Sequence, residues 1–277
     1  MNLAELFPDE DYRFQMRFQR ARPAEFFQPT AAHDELTGQR QHWLKSTPQL
    51  YAKLLPEGIP LLEETIQSAH EWQSFSQIDE SLMSPDRPAW KRCLDLGAKW
   101  EPDFLLLKSN GGGPLHLLGG CVCFPSSWSL SEKIGQPIET IHGVVPGLNP
   151  ELGNQIHAFL SKLKPGVAWL RQNWGLSRSP ELNQHPERKL PRLDASVKLE
   201  EVFLRVEHQA LVALPKTNGI LFGIRIAIHP LSELKNDSLA KSRLIRALKS
   251  MPEEMAAYKN LAAARATIIA LLKSPAA

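Results

Sequence analysis

Cysteine is scarce in this chain of 277 residues, which contains only three. Three thiols cannot build the dense disulfide framework of a small secreted protein, so the reducing cytoplasm is the expected compartment. An excess of one charge sign is also lacking, because 32 basic residues stand against 30 acidic ones and the formal net charge is +2. This balance gives no indication of a nucleic-acid partner or of binding to a membrane surface.

Long apolar runs are absent as well. No stretch of about 18 apolar residues occurs, so the sequence predicts no transmembrane helix. The first residues, MNLAELFPDEDYRF, are acidic and lack the apolar segment of a secretory signal. The hydrophobic content of 43% is that of an ordinary globular protein, and the length allows one large domain or two small ones with a substantial core. The arrangement of strands and helices described below favours one domain.

Several catalytic and binding motifs are missing. The chain has neither the G-x-S-x-G turn of a serine hydrolase nor an H-E-x-x-H zinc motif. The glycine run at 111–113 is not followed by Gly-Lys-Ser/Thr or by a helix start, which excludes a nucleotide loop. Cys121 and Cys123 have only Cys93 as a further thiol, which is too few ligands for a zinc site. Both are expected to be small buried strand residues.

The clearest pattern present is a pair of β-hairpins. In the first, Asp103–Leu107 and the run LHLLGGCVCF flank a turn at Asn110-Gly111. In the second, residues 202–214 and 219–228 flank Asn218-Gly219. The segment VAWLRQNWGL is typical of a further strand and brings the predicted number of strands to five.

Helices are predicted before, between and after these strands. Before the strands, Thr30 is expected to cap a helix that runs through Leu44, and residues 50–84 have helical spacing. Between the hairpins, the capping box Ser129-x-x-Glu132 opens one helix, a short helix runs from Pro137 to His142-Gly143, and Asn149 is the N-cap of another. After the strands, the tail is helical with an interruption at Pro252. Hairpins with helices gathered between them predict an α+β fold built on one antiparallel sheet.

His142 ends its predicted short helix. A histidine in this position commonly does no more than stabilise the negative end of the helix dipole. An imidazole that projects from a short helix onto a sheet also has the geometry for axial ligation of haem iron. The residues alone leave both interpretations open.

A series of motifs, in order along the chain, resembles one known family. They are GGCVCFPSSWSLSEKIGQPIETIHGVVPGLN, RQNWGLSRSPEL, FLRVEHQALVALP, ILFGIRIAIHPL and LKSMPEEMAAYKNL. Together they are similar to the haem-dependent oxidative N-demethylases over residues 100–261, with weaker likeness at RFQMRFQRARPAEF. The resemblance implies a PAS-like fold, an antiparallel five-stranded sheet with helices over one face. We accordingly expect a helical N-terminal extension at 1–100, the PAS-like core at 101–231 and C-terminal helices at 232–277.

The same resemblance implies an activity. Members of the family hold haem b and carry out oxygen-dependent demethylation of a small secondary amine such as dimethylamine, with release of formaldehyde. Their electrons come from a separate flavin and iron–sulfur reductase, and the present sequence has no iron–sulfur cysteine pattern of its own. Two alternatives remain open, a haem-binding PAS-like sensor and a family member without turnover, with or without haem.

The resemblance also implies site residues. His142 lies in the motif Ile141–Gly147 and is expected to be the iron ligand. The alternatives for this ligand are His116, His157 and Cys123, the last because a thiolate favours O–O cleavage. Arg205 and Arg225 are expected to bind the haem propionates, with Trp174 against the macrocycle.

The catalytic residues implied by the resemblance are Glu207 and His208. His208 is itself a departure, because the family pattern has an arginine there. Where the pattern has a threonine and a tyrosine, the chain has Ile226 and Ala227, and both a hydroxyl and a phenol are lost. Two tail residues that could compensate for this loss are Glu254 and Tyr258.

Overall fold

The computed structural model describes residues 3–75, 80–109 and 111–274 and has a mixed α+β architecture around one antiparallel sheet. Its strands are β1 (Gln19–Ala21), β2 (Ala52–Leu54), β3 (Asp103–Ser109), β4 (Leu115–Cys121), β5 (Ala168–Ser177), β6 (Phe203–Leu214) and β7 (Gly219–Pro230). They form a 7-stranded sheet in the order β1-β5-β6-β7-β3-β4-β2. The prediction of five strands was therefore wrong in number, because the short strands β1 and β2 extend the sheet at its two edges.

Both predicted hairpins are confirmed. The β6–β7 hairpin pairs without a break from Leu214↔Gly219 to Phe203↔Pro230, and Asn218 in its turn has φ 54°. That left-handed conformation is the one that an Asn-Gly turn needs. The β3–β4 hairpin also forms, although Asn110 in its predicted turn lies outside the described residues.

Helices cover both faces of the sheet. They are α1 (Leu3–Leu6), α2 (Pro23–Phe27), α3 (His33–Ser46), α4 (Pro48–Tyr51), α5 (Ile59–Glu71), α6 (Glu80–Met83), α7 (Ala89–Lys99), α8 (Ile138–Gly143), α9 (Leu148–Leu160), α10 (Leu231–Asn236), α11 (Ser238–Ser250), α12 (Glu253–Tyr258) and α13 (Arg265–Lys273). The helical tail and its interruption at Pro252 are thus confirmed. No helix in the described ranges is long and apolar enough to cross a bilayer.

The two faces of the sheet have different covers. One face carries Arg171, Glu207 and Leu211 and lies under α8 and α9; we call it the α8 face. The other carries Trp174 and His208 and packs against the helices from both ends of the chain; we call it the terminal face. This separation follows from the strand period of two, because side chains alternate sides and paired residues share a side.

Three local predictions differ from the structure. The capping box at Ser129 opens only a single 3-10 turn, and Ser129 caps no backbone N–H there. Asn149 is not an N-cap, because α9 begins at Leu148 after Gly147 in the left-handed region. Thr30 caps no helix either, since α3 begins at His33 and Thr30 instead hydrogen-bonds Glu101.

The N-terminal segment is also less purely helical than predicted. β1 and β2 both come from residues 1–100 and pair with β5 and β4 of the central segment. The division at residues 100 and 231 remains a prediction.

Candidate functional site

The side chain of His142 is half-buried at the end of α8. Neither ring nitrogen has a hydrogen-bond partner among the described residues. Burial lowers the pKa of His142 below its ordinary value, and the positive charges of Arg171 and Lys133 lower it further. The imidazole is therefore neutral at pH 7 and keeps a free lone pair, which is the form that binds iron.

The helices α8 and α9 cover the α8 face mainly with half-buried side chains. None of the residues of α8 is buried, and Leu160 is the only buried residue of α9. Their apolar side chains point to the sheet but stay half-buried; they are Ile138, Ile141, Ile156 and Phe159. An apolar layer that stays partly exposed to solvent is a feature that ligand sites share.

Arg171 projects from β5 onto the same face. Its half-buried guanidinium has no hydrogen-bond acceptor within the described residues, and its Cζ lies 5.9 Å from the centroid of the Phe18 ring. Burial lowers the pKa of Arg171, while the nearby carboxylate of Glu207 raises it. A guanidinium with unused donors beside a neutral histidine is well suited to binding a carboxylate.

Glu207 lies opposite Asn173 in the β5–β6 ladder, and its carboxylate accepts three hydrogen bonds. Its Oε1 accepts from the Ser126 hydroxyl at 2.5 Å. Its Oε2 accepts from the side-chain amides of Gln209 at 2.8 Å and Asn173 at 3.3 Å. Three neutral donors therefore hold the carboxylate in one orientation while its charge stays unpaired by any direct salt bridge in the described chain.

The guanidinium of Arg205 is directed at protein groups. Nε donates to Ser126 Oγ at 2.7 Å, Nη2 to the Phe124 carbonyl at 2.7 Å and Nη1 to the Glu181 carbonyl at 3.3 Å. Arg205 is 3% exposed, and burial lowers its pKa to about 10, so that it remains charged at neutral pH. Through these hydrogen bonds Arg205 binds two loops together.

Lys259, the first residue after α12, covers part of the free edge of β5. β1 pairs only with Ala168–Leu170, and beyond it Lys259 Nζ donates to the carbonyl of Trp174 at 2.8 Å. Burial lowers the pKa of Lys259 to about 8. Burial and the charge of Glu207 raise the pKa of Tyr258, so its phenol keeps its proton. The Tyr258 side chain is therefore close enough to Glu207 to be affected by the charge of that carboxylate.

The structure separates three of the predicted site residues from His142. His208 is on the terminal face, where its Nδ1 lies 3.3 Å from Gln172 Nε2. Arg225 pairs with Glu101 and donates to the carbonyls of residues 26 and 28, which fastens the N-terminal segment to β7. Trp174 packs edge-on against Phe7 at 5.1 Å between ring centroids. His208 cannot act beside Glu207, because consecutive strand residues point to opposite faces.

The structure places the three alternative iron ligands in different settings. Nδ1 of His116 lies 3.0 Å from the Pro114 carbonyl. The side chain of His157 is 56% exposed on the outer surface of α9, near Glu139. Cys123 is completely buried beside Cys121, and burial raises the pKa of the Cys123 thiol well above its ordinary value, which disfavours a thiolate ligand. The prediction that Cys121 and Cys123 are buried is confirmed.

The two positions that depart from the family pattern lie on different faces. Ile226 pairs with Glu207 and faces the candidate site. Ala227 pairs with Val206 and packs among the C-terminal helices. The lost phenol therefore belongs to the terminal face, and the lost hydroxyl is the one next to Glu207. Both possible substitutes are exposed; of the two, Tyr258 is the one whose pKa the charge of Glu207 raises.

Sequence reasoning misses Arg171 and Ser126. The sequence signal for Arg171 is the strand alternation in RQNWG. A period of two places Arg171 and Asn173 on one face of the sheet, together with Gln209 and Glu207, the residues they pair with. Ser126 has no comparable signal, because it lies in a loop that reaches Glu207 only through the tertiary fold.

Comparison with known families identifies the class of this protein. The family model described as haem-dependent oxidative N-demethylase, alpha subunit-like, matches residues 30–269. The match covers most of the chain. The chain therefore belongs to this family, and the resemblance found in the sequence is confirmed.

Proposed function

We propose that this chain binds haem b between α8 and the α8 face and uses it for the oxidative N-demethylation of a small secondary amine. The observation that carries the proposal is that two side chains lie near each other. His142 is neutral and has no hydrogen-bond partner within the described residues, and the half-buried Arg171 has no acceptor there. One group supplies a ligand for iron and the other a partner for a carboxylate, and a single haem needs both.

The residues present fit haem in three respects. His142 would hold the iron, and Arg171 would pair with a propionate in place of Arg205 and Arg225. The half-buried apolar layer of α8 and α9 would cover the macrocycle. We further propose that the five longer strands, β3 to β7, are the PAS-like core that the family resemblance implies.

When bound, haem supplies the centre at which dioxygen is activated. The chain's own contribution would lie in binding and orienting the amine. A dialkylamine is a cation at neutral pH, as the lysine amine is, and the fixed carboxylate of Glu207 would hold it. Tyr258 Oη would retain its proton and donate a hydrogen bond, while Ile226 would exclude water from the side of Glu207.

The proposed reaction also needs electrons from outside the chain. The family name describes an alpha subunit, and this supports a multi-component system. We propose a separate reductase carrying flavin and an iron–sulfur cluster as the partner, with dioxygen and the amine as the small-molecule substrates.

The test is an absorption spectrum of protein expressed with added δ-aminolevulinate, for the wild type, His142→Ala and His157→Ala. The wild type should show a Soret band. His142→Ala should shift or lose it, and His157→Ala, which changes an exposed histidine one helix later, should not. A band unchanged in His142→Ala would exclude this ligand, and folded protein that takes up no haemin would overturn the whole proposal.

A second assay separates catalysis from sensing. With a surrogate reductase, the enzyme should release formaldehyde in proportion to the dimethylamine consumed. Haem-loaded protein that binds dioxygen but releases no formaldehyde would instead be a sensor or a member without turnover.

A further inference from the structure

Ser126 connects a buried cation to the carboxylate of the candidate site. Its hydroxyl lies 2.7 Å from Arg205 Nε and 2.5 Å from Glu207 Oε1. An arginine Nε can only donate a hydrogen bond. The serine oxygen must therefore accept from Arg205, and its single proton is left for Glu207. The direction of both hydrogen bonds is fixed by this chemistry.

The hydroxyl of Ser126 is not needed to hold its own loop. Backbone groups already fasten the loop to a neighbouring segment, since Ser127 N donates to Gln184 O at 3.2 Å and Gln184 N to Pro125 O at 3.1 Å. Arg205 adds its hydrogen bond to the Phe124 carbonyl. What the hydroxyl contributes beyond these contacts is the link to Glu207.

The two oxygens of Glu207 are held in different ways. Asn173 and Gln209 donate to Oε2 with neutral amides. The donor to Oε1 is a hydroxyl that itself accepts from the charged Arg205, and a donor polarised in this way forms a stronger hydrogen bond. Ser126 therefore controls the orientation of Oε1 and carries the influence of Arg205 to the carboxylate without a direct ion pair.

We propose that Ser126 is a positioning residue, which orients Glu207 for binding the ammonium group of the amine substrate. This inference rests on the proposed function, because Glu207 must be the group that contacts the amine. Ser126 acts only through Glu207 and touches neither the amine nor the haem.

The experiment is an amine titration of haem-loaded protein, followed by the change in the absorption spectrum. The variants are Ser126→Ala, Ser126→Thr, Glu207→Gln and the double variant Ser126→Ala/Glu207→Gln. Ser127→Ala serves as the matched control, because Ser127 is the exposed neighbour and its hydroxyl does not reach Glu207. Carbon monoxide binding is measured on each variant as a haem ligand that does not require Glu207.

Ser126→Ala should raise the dissociation constant for dimethylamine about tenfold, which corresponds to about 1.4 kcal/mol. Ser126→Thr, which keeps the hydroxyl, and Ser127→Ala should bind the amine as the wild type does. Carbon monoxide affinity should be the same in all variants. In the Glu207→Gln background, removing the hydroxyl should have little further effect, since two residues that act as a unit are not additive.

Three outcomes would overturn the inference alone. In the first, Glu207→Gln weakens amine binding but Ser126→Ala does not. In the second, Ser126→Ala weakens amine binding equally with and without Glu207. In the third, Ser126→Ala weakens carbon monoxide binding as much as amine binding, as a general structural role requires. Wild-type protein that takes up no haem, or whose spectrum does not respond to dimethylamine, overturns the proposed function and the inference with it.

Discussion

Removal of Arg40 should destabilise this protein more than any surface substitution. The side chain of Arg40 is 0% exposed and that of Asp103 1%, and Arg40 Nη1 lies 2.6 Å from Asp103 Oδ1. Asp103 also accepts from the backbone N–H groups of Cys123 at 2.7 Å and Phe124 at 3.0 Å. The pair therefore joins α3 and β3 to the segment that leads to Ser126.

The magnitude follows from the burial of the pair. Arg40→Met leaves the Asp103 carboxylate buried without its counter-ion, and loss of one partner of a buried pair costs about 3–5 kcal/mol. The carbonyl of Gly97, which accepts from Arg40 Nε at 2.5 Å, loses its donor as well. Because total stability is about 5–15 kcal/mol, this is a large fraction, and Tm should fall by roughly 10 °C.

The assay is urea unfolding followed by circular dichroism. Arg40→Met/Asp103→Asn should be more stable than Arg40→Met alone, because the double variant has no unpaired buried charge. Arg22→Met, which removes an exposed partner of Glu25, should leave the midpoint nearly unchanged. A loss under about 1 kcal/mol in Arg40→Met, or a double variant less stable than Arg40→Met, would refute the reasoning.

The remaining predictions concern two cationic side chains of the site. Arg171→Gln should weaken haem binding roughly 10- to 100-fold, the effect of losing one hydrogen bond to a charged group, whereas exposed Arg20→Gln should not. Transfer of haem to excess apomyoglobin measures this, and equal effects of the two substitutions would contradict the role of Arg171. In the folded protein the pKa of Lys259 is about 8, below its ordinary value of 10.5. Between pH 8 and pH 10.5 the unfolded chain therefore binds more protons than the folded protein does. Stability should therefore rise from pH 8 to 10.5 relative to Lys259→Met, as measured by urea midpoints; parallel pH profiles would contradict it.

The fold was predictable from the sequence wherever the signal was local. The Asn218-Gly219 turn with long apolar arms, and the break at Pro252, carry their structure within a few residues. β1 and β2 carry no such signal, because three residues cannot display an alternation. Residues 52–54 lie in a segment with helical spacing and become a strand only by pairing with β4. Tertiary pairing overrides local preference there.

The candidate site was predictable to a smaller extent. His142 and Glu207 are side chains that the family motifs single out, and both lie in the site that the structure supports. Arg205 and Arg225 match the same motifs, but the hydrogen bonds of each go to protein groups that are distant in sequence. A motif identifies which residues matter and does not tell which partner each guanidinium has. The alternation of β6 alone was sufficient to separate His208 from Glu207.

The placement of β1 and β2 has a consequence for synthesis of the chain. Both edge strands are made early, yet Gln19 pairs with Leu170 and Ala52 pairs with Cys121. Neither edge can be completed on the ribosome until its partner has emerged, and pairings between such distant segments slow folding because the intervening chain must first be ordered. The N-terminal segment therefore stays incompletely folded until these partners are made. Pairing of β1 with β5 is a late event that follows translation of β5.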